Sequence, residues 1–262
     1  MKTQSPLVSI IIPTYNRWKL LLRAIKSCLD QTHNNIEIIV IDDNSVDETK
    51  SIIQNLNNTK IKYIRNKTNL WPSLSRNKWI QAALGEYINF LDDDDELVSD
   101  KIEKQLIKFT TSNIDNLWVV TSDIQYKRID KTWIQLNRSY WYVYKKLLNH
   151  YCVYWILSSL IDSSYIKKIW WFDPNLRFNE EYDFYIRLSQ YCNFDYIESI
   201  WWIVYASHEQ ITQDYWERII GLKKLFHKYR KVYRVEKCYS YNIVRFVSLY
   251  CKYRFYFFLK KR

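Results

Sequence analysis

The sequence has four consecutive aspartates directly after the apolar run 87–91: Asp92, Asp93, Asp94 and Asp95. Four carboxylates so close together repel one another, and they stay ionised only if a cation offsets that repulsion. Carboxylate oxygens are the ligands that hard divalent ions prefer, and magnesium sites commonly combine one or two carboxylates with substrate phosphates. An acidic run alone would indicate a solvated loop. Its position at the end of a predicted buried strand favours a site for Mg²⁺ or Mn²⁺ instead.

Polar side chains also follow the two earlier strands that the sequence predicts. The β-branched run 8–12 is followed by Pro-Thr-Tyr-Asn at 13–16, and the run 36–41 is followed by Asp-Asp-Asn at 42–44. In open α/β sheets, ligands bind at the carboxyl ends of the strands. We therefore expect these two groups and the four aspartates to converge on one edge of a sheet.

Helical patterns separate the predicted strands. Hydrophobic spacing predicts helices over 19–30 and 72–84, and a capping box of Ser45 and Glu48 predicts another over 45–56. Strands that alternate with helices imply right-handed crossovers and a mainly parallel α/β sheet. Further along the chain, the pattern predicts a strand over 119–126, a helix over 182–191 and helices over 216–262.

The composition limits the class of protein. With 262 residues and 48% hydrophobic residues, the chain can form one large domain or a domain with an appendage. The net charge of +11 indicates an anionic partner, and the five scattered cysteines indicate neither a disulfide framework nor a zinc site. The N-terminus does not have the pattern of a signal peptide, and no stretch reaches the ~18 uncharged apolar residues of a spanning helix. We therefore expect a cytoplasmic protein.

Five segments occur in the order and spacing of a known enzyme family. They are VSIIIPTYNR at 8–17, IIVIDDNSVDET at 38–49, SRNKWIQAALGEYINFLDDDDEL at 75–97, IWWFDPNLRFNEEYDFYIRL at 169–188 and YASHEQIT at 205–212. On these segments the chain resembles the family 2 inverting glycosyltransferases of GT-A fold. The resemblance implies a Rossmann-like, mainly parallel sheet flanked by helices over 1–215, with the basic, aromatic segment 216–262 as a helical C-terminal appendage.

The resemblance also implies a reaction and its partners. The family transfers a sugar from a nucleotide-diphosphate donor to an acceptor hydroxyl and uses a divalent metal, here Mg²⁺ or Mn²⁺. We expect a UDP-sugar donor and a glycan or lipid-linked acceptor in polysaccharide or lipid-linked glycan synthesis. By position, the nucleotide-binding residues are Pro13, Tyr15, Asp43, Arg76, Asp92 and Asp93, with Asp43 reading uracil. The metal ligands are Asp94, Asp92 and His208, of which Asp94 is the principal one.

The segment Asn-Glu-Glu-Tyr-Asp at 179–183 matches the family's E-D-x-D motif, in which a carboxylate accepts the acceptor's proton. Glu181 occupies the base position, where the family usually has aspartate, and this departure leaves Glu180 and Asp183 as alternatives. A carboxylate can serve as the general base. The metal neutralises charge on the departing diphosphate, and the one-step, in-line geometry leads to inversion.

The glycine and tryptophan contents are unusual. The chain has 2 glycines and 12 tryptophans, whereas ordinary usage predicts roughly 18 glycines. The family favours glycine near 71 and 79 and at 170–171, where this sequence has Trp, and the pair 201–202 falls at a predicted turn. UGA is read as tryptophan in some genetic codes and as glycine in others. We therefore expect glycine at many of these positions in the native protein. The alternative is an aromatic, sugar-binding surface.

Three other functions compete with sugar transfer. A nucleotidyltransferase usually carries a glycine-rich loop after its first strand, and PTYNRWKLL at 13–21 is not such a loop. A nucleic-acid-binding protein would explain the charge and the 18% aromatic residues, but lysine and arginine are dispersed and the carboxylates would repel phosphate. We therefore expect no nucleic-acid partner. An inactive nucleotide-sugar-binding protein is the third alternative, if the tryptophans are genuine.

The C-terminal segment, residues 241–262, mixes basic and aromatic residues. Basic groups attract anionic lipid and aromatic groups suit the membrane interface, so this pattern predicts peripheral contact with the inner membrane face. The alternative is a helix packed on the catalytic domain with its charges in solvent.

Overall fold

Strands and helices alternate in the first part of the computed structural model, which describes residues 5–68, 72–127, 132–149, 156–169, 171–205 and 215–260. The elements up to the aspartates are β1 (Val8–Thr14), α1 (Trp18–Leu29), β2 (Ile36–Asp42), α2 (Thr49–Asn55), β3 (Ile61–Arg65), α3 (Pro72–Ala82) and β4 (Tyr87–Phe90). Residues 8 and 10–12 are fully buried, as are Ile38, Ile39 and Val40 of β2. Both faces of these strands are covered, which explains why their sequences are continuous apolar runs.

The second part of the chain completes the sheet and adds the C-terminal helices. Its elements are β5 (Glu96–Leu97), α4 (Lys101–Thr111), β6 (Leu117–Lys127), β7 (Thr132–Gln135), α5 (Tyr144–Asn149), a 3₁₀ turn (Ile156–Ser158), β8 (Leu160–Asp162), α6 (Ser163–Lys168), α7 (Glu180–Leu188), β9 (Asn193–Tyr205), α8 (Tyr215–Val235) and α9 (Tyr239–Lys260). The predicted strand near 119–126 and the predicted helices near 182–191 and in 216–262 are therefore confirmed.

The strands form one sheet in the order β3-β2-β1-β4-β8-β6-β9-β5, with β7 paired to β6. The pairs β1–β2, β1–β4, β2–β3 and β6–β9 are parallel, whereas β8 runs antiparallel to both β4 and β6. The predicted α/β architecture, with a mainly parallel sheet flanked by helices, is confirmed. The parallel order of β2, β1 and β4 brings their carboxyl ends to one edge of the sheet.

The predicted capping box at the start of α2 is wrong. The cap residue Glu48 makes no side-chain capping bond, and Thr49 N–H donates to Asp47 Oδ1 at 3.0 Å instead. Ser45 Oγ accepts the backbone N–H of Asn16 at 2.9 Å. The Ser45 hydroxyl therefore joins the loop after β2 to the loop after β1 and does not cap α2.

The C-terminal helices pack on the sheet domain through α8. Leu225, Tyr229 and Tyr233 are buried in the main core, and Phe226 of α8 packs against Phe246 of α9 with ring centroids 4.9 Å apart. The predicted domain boundary near residue 215 stays a prediction. Among the helices of the described residues, none is both long enough and apolar enough to cross a membrane.

A lysine lies inside the protein at the first position of α4. Lys101 is fully buried, and its Nζ donates to Gln105 Oε1 at 2.9 Å. Gln105 Nε2 in turn donates to the carbonyls of Val120 and Ser158. Burial lowers the pKa of Lys101 to about 7, because desolvation penalises the ammonium form, and Cys28 opposes this only in part.

This buried amine predicts how stability depends on pH. Between pH 7 and about pH 10 the unfolded chain binds a proton at Lys101 that the folded protein does not bind. The free energy of unfolding should therefore rise with pH in this window, by about 1.4 kcal/mol per unit near its middle. Lys101→Met should remove this contribution, and Lys104→Met, at an exposed lysine of the same helix, should keep it. Urea unfolding midpoints measured from pH 7 to 10 give this dependence of stability on pH. If its slope were unchanged in Lys101→Met, Lys101 would not be the group responsible.

Candidate active site

The four aspartates form a turn immediately after β4, where Asp95 N–H donates to the carbonyl of Asp92 at 3.2 Å. Asp92, Asp94 and Asp95 each offer a carboxylate oxygen, and these oxygens lie within 4.8 Å of one another. Burial and the adjacent Asp94 raise the pKa of Asp92 to about 7, although Arg76 opposes the shift. Three oxygen donors at this separation fit a hard divalent cation, which would relieve their repulsion. Asp95 was not among the ligands that the sequence predicts.

Asp93 makes contacts different from those of its neighbours. Its Oδ2 accepts a hydrogen bond from Thr14 Oγ1 at 2.7 Å, and its Oδ1 lies 3.5 Å from Arg17 Nη1. The same Arg17 nitrogen lies 3.2 Å from Asp94 Oδ2. Burial raises the pKa of Asp93 to about 6, and the Thr14 bond opposes the shift. Thr14, from the polar group expected to converge with the aspartates, and Arg17, which no sequence pattern singled out, therefore belong to the site.

The predicted nucleotide-binding residues lie at the same edge of the sheet. Asp43 N–H donates to the carbonyl of Thr14 at 2.9 Å, and Asp43 Oδ1 accepts from Asn66 Nδ2 at 3.0 Å. Pro13 is half-buried, and Tyr15 is exposed just beyond β1. The ends of β1, β2 and β4 thus bring together residues that are far apart in the sequence, as the polar clusters predict.

Arg76, on α3, joins this edge to the predicted catalytic residues. Its Nη1 lies 2.6 Å from Glu180 Oε1, and its Nη2 lies 3.1 Å from Glu181 Oε1. Burial opposes the charge of Arg76, but Glu181 and Glu180 more than offset it and raise the pKa of the guanidinium. Asp92 contributes in the same direction. The buried guanidinium of Arg76 therefore interacts electrostatically with both the aspartate turn and the glutamate pair.

The two glutamates begin α7 and have different surroundings. Glu181 Oε2 accepts the backbone N–H of Ile156 at 3.2 Å, and Arg76 Nη2 donates to its Oε1 at 3.1 Å, so both oxygens of this carboxylate accept hydrogen bonds. Burial raises the pKa of Glu180, and Arg76 opposes the shift. Both side chains lie in the first turn of α7, where the helix dipole favours negative charge.

Asp183, the third predicted catalytic residue, is fully buried below this pair. Its Oδ1 accepts from Tyr229 Oη at 2.8 Å and lies 2.6 Å from Lys228 Nζ. Its Oδ2 accepts from Arg187 Nε at 2.8 Å. Tyr229 and Lys228 belong to α8, so this carboxylate ties the C-terminal helices to the helix that carries Glu181.

Some predicted residues lie outside the described residues. His208, the predicted histidine ligand, is one of them, and Trp71 and Trp170 are the others. Their predicted roles therefore stay predictions.

Several tryptophans lie where the backbone conformation or the burial of the indole is unfavourable for tryptophan. Trp141 and Trp171 have φ values of 63° and 61°, in the left-handed region. The indole N–H groups of Trp79 and Trp171 are buried without a hydrogen-bond partner among the described residues. The predicted turn at 201–202 is wrong, because both residues lie in β9. The β6–β9 register passes from Ile200 to Trp202 across an irregularity, which leaves Trp201 unpaired in the register.

Comparison with known proteins decides the family. The model of glycosyl transferase family 2 matches residues 9–164, which include the aspartate turn together with Thr14 and Arg17. The chain belongs to this family. The family segment also contains Arg76, although the match ends before the glutamates of α7.

Three related bacterial proteins illustrate the similarity in sequence. The chain is 48% identical over 97 residues to the GalNAc(5)-diNAcBac-PP-undecaprenol beta-1,3-glucosyltransferase of Campylobacter jejuni, a match that covers 36% of this chain and 31% of that protein. Matches to two further bacterial glycosyltransferases cover 41% and 17% of those proteins, so the chain spans less than half of each of these three relatives.

The solved structures share the fold. TarS 1-349 of S. aureus in complex with UDP-GlcNAc has a TM-score of 0.65 and 17% identity, over 86% of this chain and 67% of that one. The mannosyltransferase PcManGT of Pyrobaculum calidifontis, in complex with GDP-Man and Mn²⁺, has a TM-score of 0.67 and 12% identity, over 97% of this chain and 74% of that one. The GT-A fold expected from the sequence is confirmed.

Proposed function

We propose that this chain is an inverting glycosyltransferase that moves a sugar from a UDP-sugar to a hydroxyl of a glycan or lipid-linked acceptor. The observation that carries the proposal is the buried Arg76, which contacts Glu180 and Glu181 and acts electrostatically on Asp92. The carboxylates that would hold a metal ion and the carboxylate that would act as the base therefore belong to one site. An inverting transfer needs these two functions on opposite sides of the reacting carbon.

Asp94, Asp92 and Asp95 supply the oxygens that would hold Mg²⁺ or Mn²⁺, with His208 as a further ligand expected from the family resemblance. The ion would stabilise the charge that develops on the departing diphosphate. Arg17, next to Asp93 and Asp94, carries a positive charge at the same place and could contact a phosphate oxygen. The donor chemistry of three carboxylates within 4.8 Å supports this assignment.

Asp43, Pro13, Tyr15 and Asp93 would bind the nucleoside. One oxygen of Asp43 accepts a hydrogen bond from Asn66, and the half-buried position of Asp43 just after β2 suits recognition of uracil. Asp93, which is held by Thr14, suits a ribose hydroxyl. The complexes of TarS with UDP-GlcNAc and of PcManGT with GDP-Man are in keeping with a nucleotide-sugar donor.

Glu181 is the general base in this proposal. Arg76 and the N–H of Ile156 donate to its two oxygens and fix the position of the carboxylate, a group that can accept the acceptor's proton. Glu180 is more buried and lies closer to Arg76, which suits a role in holding the guanidinium. Asp183 has partners on both oxygens, which suits an ion pair between α7 and α8.

The printed name of the Campylobacter relative specifies an undecaprenol-linked substrate, and that name supports a lipid-linked acceptor for this chain. We place the reaction at the cytoplasmic face of the inner membrane, where such an acceptor would be met by a peripherally bound enzyme.

A second proposal concerns the tryptophans, several of which we expect to be glycine in the native protein. A left-handed backbone costs an L-residue about 1–2 kcal/mol, and a bulky residue rarely adopts it, yet Trp141 and Trp171 do. A buried indole N–H that has no hydrogen-bond partner within the described part of the chain adds a further penalty at Trp79 and Trp171. Trp201 falls at a bulge, where glycine is common. Glycine would remove each of these conflicts.

The first prediction from the proposed function concerns the metal. Asp94→Ala should abolish sugar transfer and UDP-sugar hydrolysis, and it should weaken Mn²⁺ binding measured by electron paramagnetic resonance. Asp115→Ala, at an exposed aspartate remote from the site, is the matched control. The assays should use the chain with glycine at 71, 79, 170, 171, 201 and 202, because we expect tryptophan at these positions to block donor binding. Full activity in excess chelator would contradict the metal role.

The next prediction tests the base. Glu181→Gln should leave UDP binding nearly unchanged and lower turnover by about 10²-fold or more, because the amide cannot accept the acceptor's proton. Isothermal titration with UDP and a transfer assay measure the two effects separately. An unchanged rate would move the base to Glu180 or Asp183, and an equal loss of UDP affinity would argue for a binding role.

The recoding proposal is tested in two ways. Mass spectrometry of the native protein should find glycine at 79, 141 and 171. Tryptophan at 171 would contradict the proposal that these positions are glycine. Trp141→Gly should raise the free energy of unfolding by about 1 kcal/mol, because this residue is mostly exposed and its substitution removes left-handed strain. Trp133→Gly is the control, since Trp133 lies in a strand without positive φ and stacks on Tyr126. That control should be destabilised.

A further inference from the structure

Over residues 239–252, the part of helix α9 in which every side chain is described, the helix is buried on one side only. Asn242 is buried, and Phe246 and Tyr250 are partly covered on the side that faces α8. The opposite side exposes a stripe that we name the α9 apolar face, made of Tyr241, Val244, Val247, Ser248 and Cys251. Val244 is 69% exposed, and Tyr241 and Val247 are about half exposed. Spacings of three and four residues put these side chains on one side of the helix.

The charged residues of the C-terminal segment 237–262 have a single sign. The sequence from 237 to 262 contains no aspartate or glutamate, and it contains Lys237, Arg245, Lys252, Arg254, Lys260, Lys261 and Arg262. Lys252 and Arg254 are exposed, and by helical position they flank the apolar face on either side. An uncharged stripe between cations is the pattern of a helix that lies in a membrane interface.

We propose that the α9 apolar face docks in the plane of an anionic lipid surface, with its flanking lysine and arginine side chains at the headgroups. The apolar side chains would enter the boundary between headgroups and acyl chains, and the cations would pair with lipid phosphates. A second copy of the chain is a poorer occupant, because two α9 faces in contact would bring their cations together. Binding is peripheral, since none of the described helices has the length and apolarity to span a bilayer.

The docking helix is connected to the candidate base through two sets of contacts. Arg245 Nη1 donates to Tyr182 Oη at 2.8 Å and to the carbonyl of Asn149 at 3.1 Å, and Tyr182 follows Glu181 directly in α7. Lys228 of α8 pairs with Asp183, one residue further along α7. A membrane-bound α9 would therefore hold α7 at a fixed height above the lipid surface. The benefit to catalysis rests on the proposed function with a lipid-linked acceptor, whereas lipid binding itself does not.

The test uses the full chain and flotation with vesicles of phosphatidylcholine alone or mixed with phosphatidylglycerol. The wild type should float with the anionic vesicles at low salt, and it should float much less with neutral vesicles or at high salt. The double variant Val244→Asp, Val247→Asp should lower the bound fraction about 10-fold, because two carboxylates enter the apolar face and repel anionic lipid. Ile134→Asp, Leu136→Asp is the matched control, since these apolar residues are also about half exposed but belong to a different surface.

Circular dichroism and UDP affinity show whether each variant is folded and keeps its nucleotide site. Loss of flotation with UDP affinity unchanged supports the docking proposal even if no sugar transfer is found, so its outcome is separate from that of the proposed function. Equal flotation of the α9 variant and the wild type would overturn the proposal, as would no flotation of the wild type. A dimer that sediments as such in the wild type and is lost in the α9 variant, without flotation, would assign the face to self-association instead.

Discussion

Repulsion among carboxylates gathered at one edge of the sheet is the constraint on which the rest of the site depends. Asp92, Asp94 and Asp95 face one another within 4.8 Å, and the glutamates of α7 add two more negative charges nearby. The protein offsets this repulsion with Arg17 beside Asp94 and with the buried Arg76 beside the glutamates. A divalent ion bound by the aspartates would offset more of this negative charge.

The position of α7 depends on residues far from the family segment. The family match ends at residue 164, whereas α7 is held from the other side by Lys228 and Tyr229 of α8 and by Arg245 of α9. Asp183 is the point where these contacts meet, since both of its oxygens are engaged. The C-terminal helices are therefore part of the support of the helix that carries the candidate base.

The tryptophans show a conflict between residue type and backbone. At positions 141 and 171 the chain adopts a conformation that suits glycine, and the fold is nevertheless that of its family. The surrounding sheet and helices fix the path of the backbone through many contacts, so a single residue type cannot change it. The conflict appears instead as a left-handed backbone at both positions and, at Trp171, as a buried indole N–H without a hydrogen-bond partner among the residues that the structure describes.

The sequence alone determined the features that depend on neighbouring residues: the apolar runs of β1, β2 and β4, the helices between them, the aspartates at a strand end and the family motifs. These patterns are local, because burial of a whole strand or of one helix face leaves a regular signature in consecutive residues. The tertiary structure decided which side chains meet. It joined Ser45 to Asn16 rather than to the start of α2, Thr14 to Asp93, and Arg76 to glutamates more than 100 residues away. It also buried Asp183, which in sequence looks equivalent to Glu181, against α8. Such pairings depend on how the elements pack, and no local pattern records them.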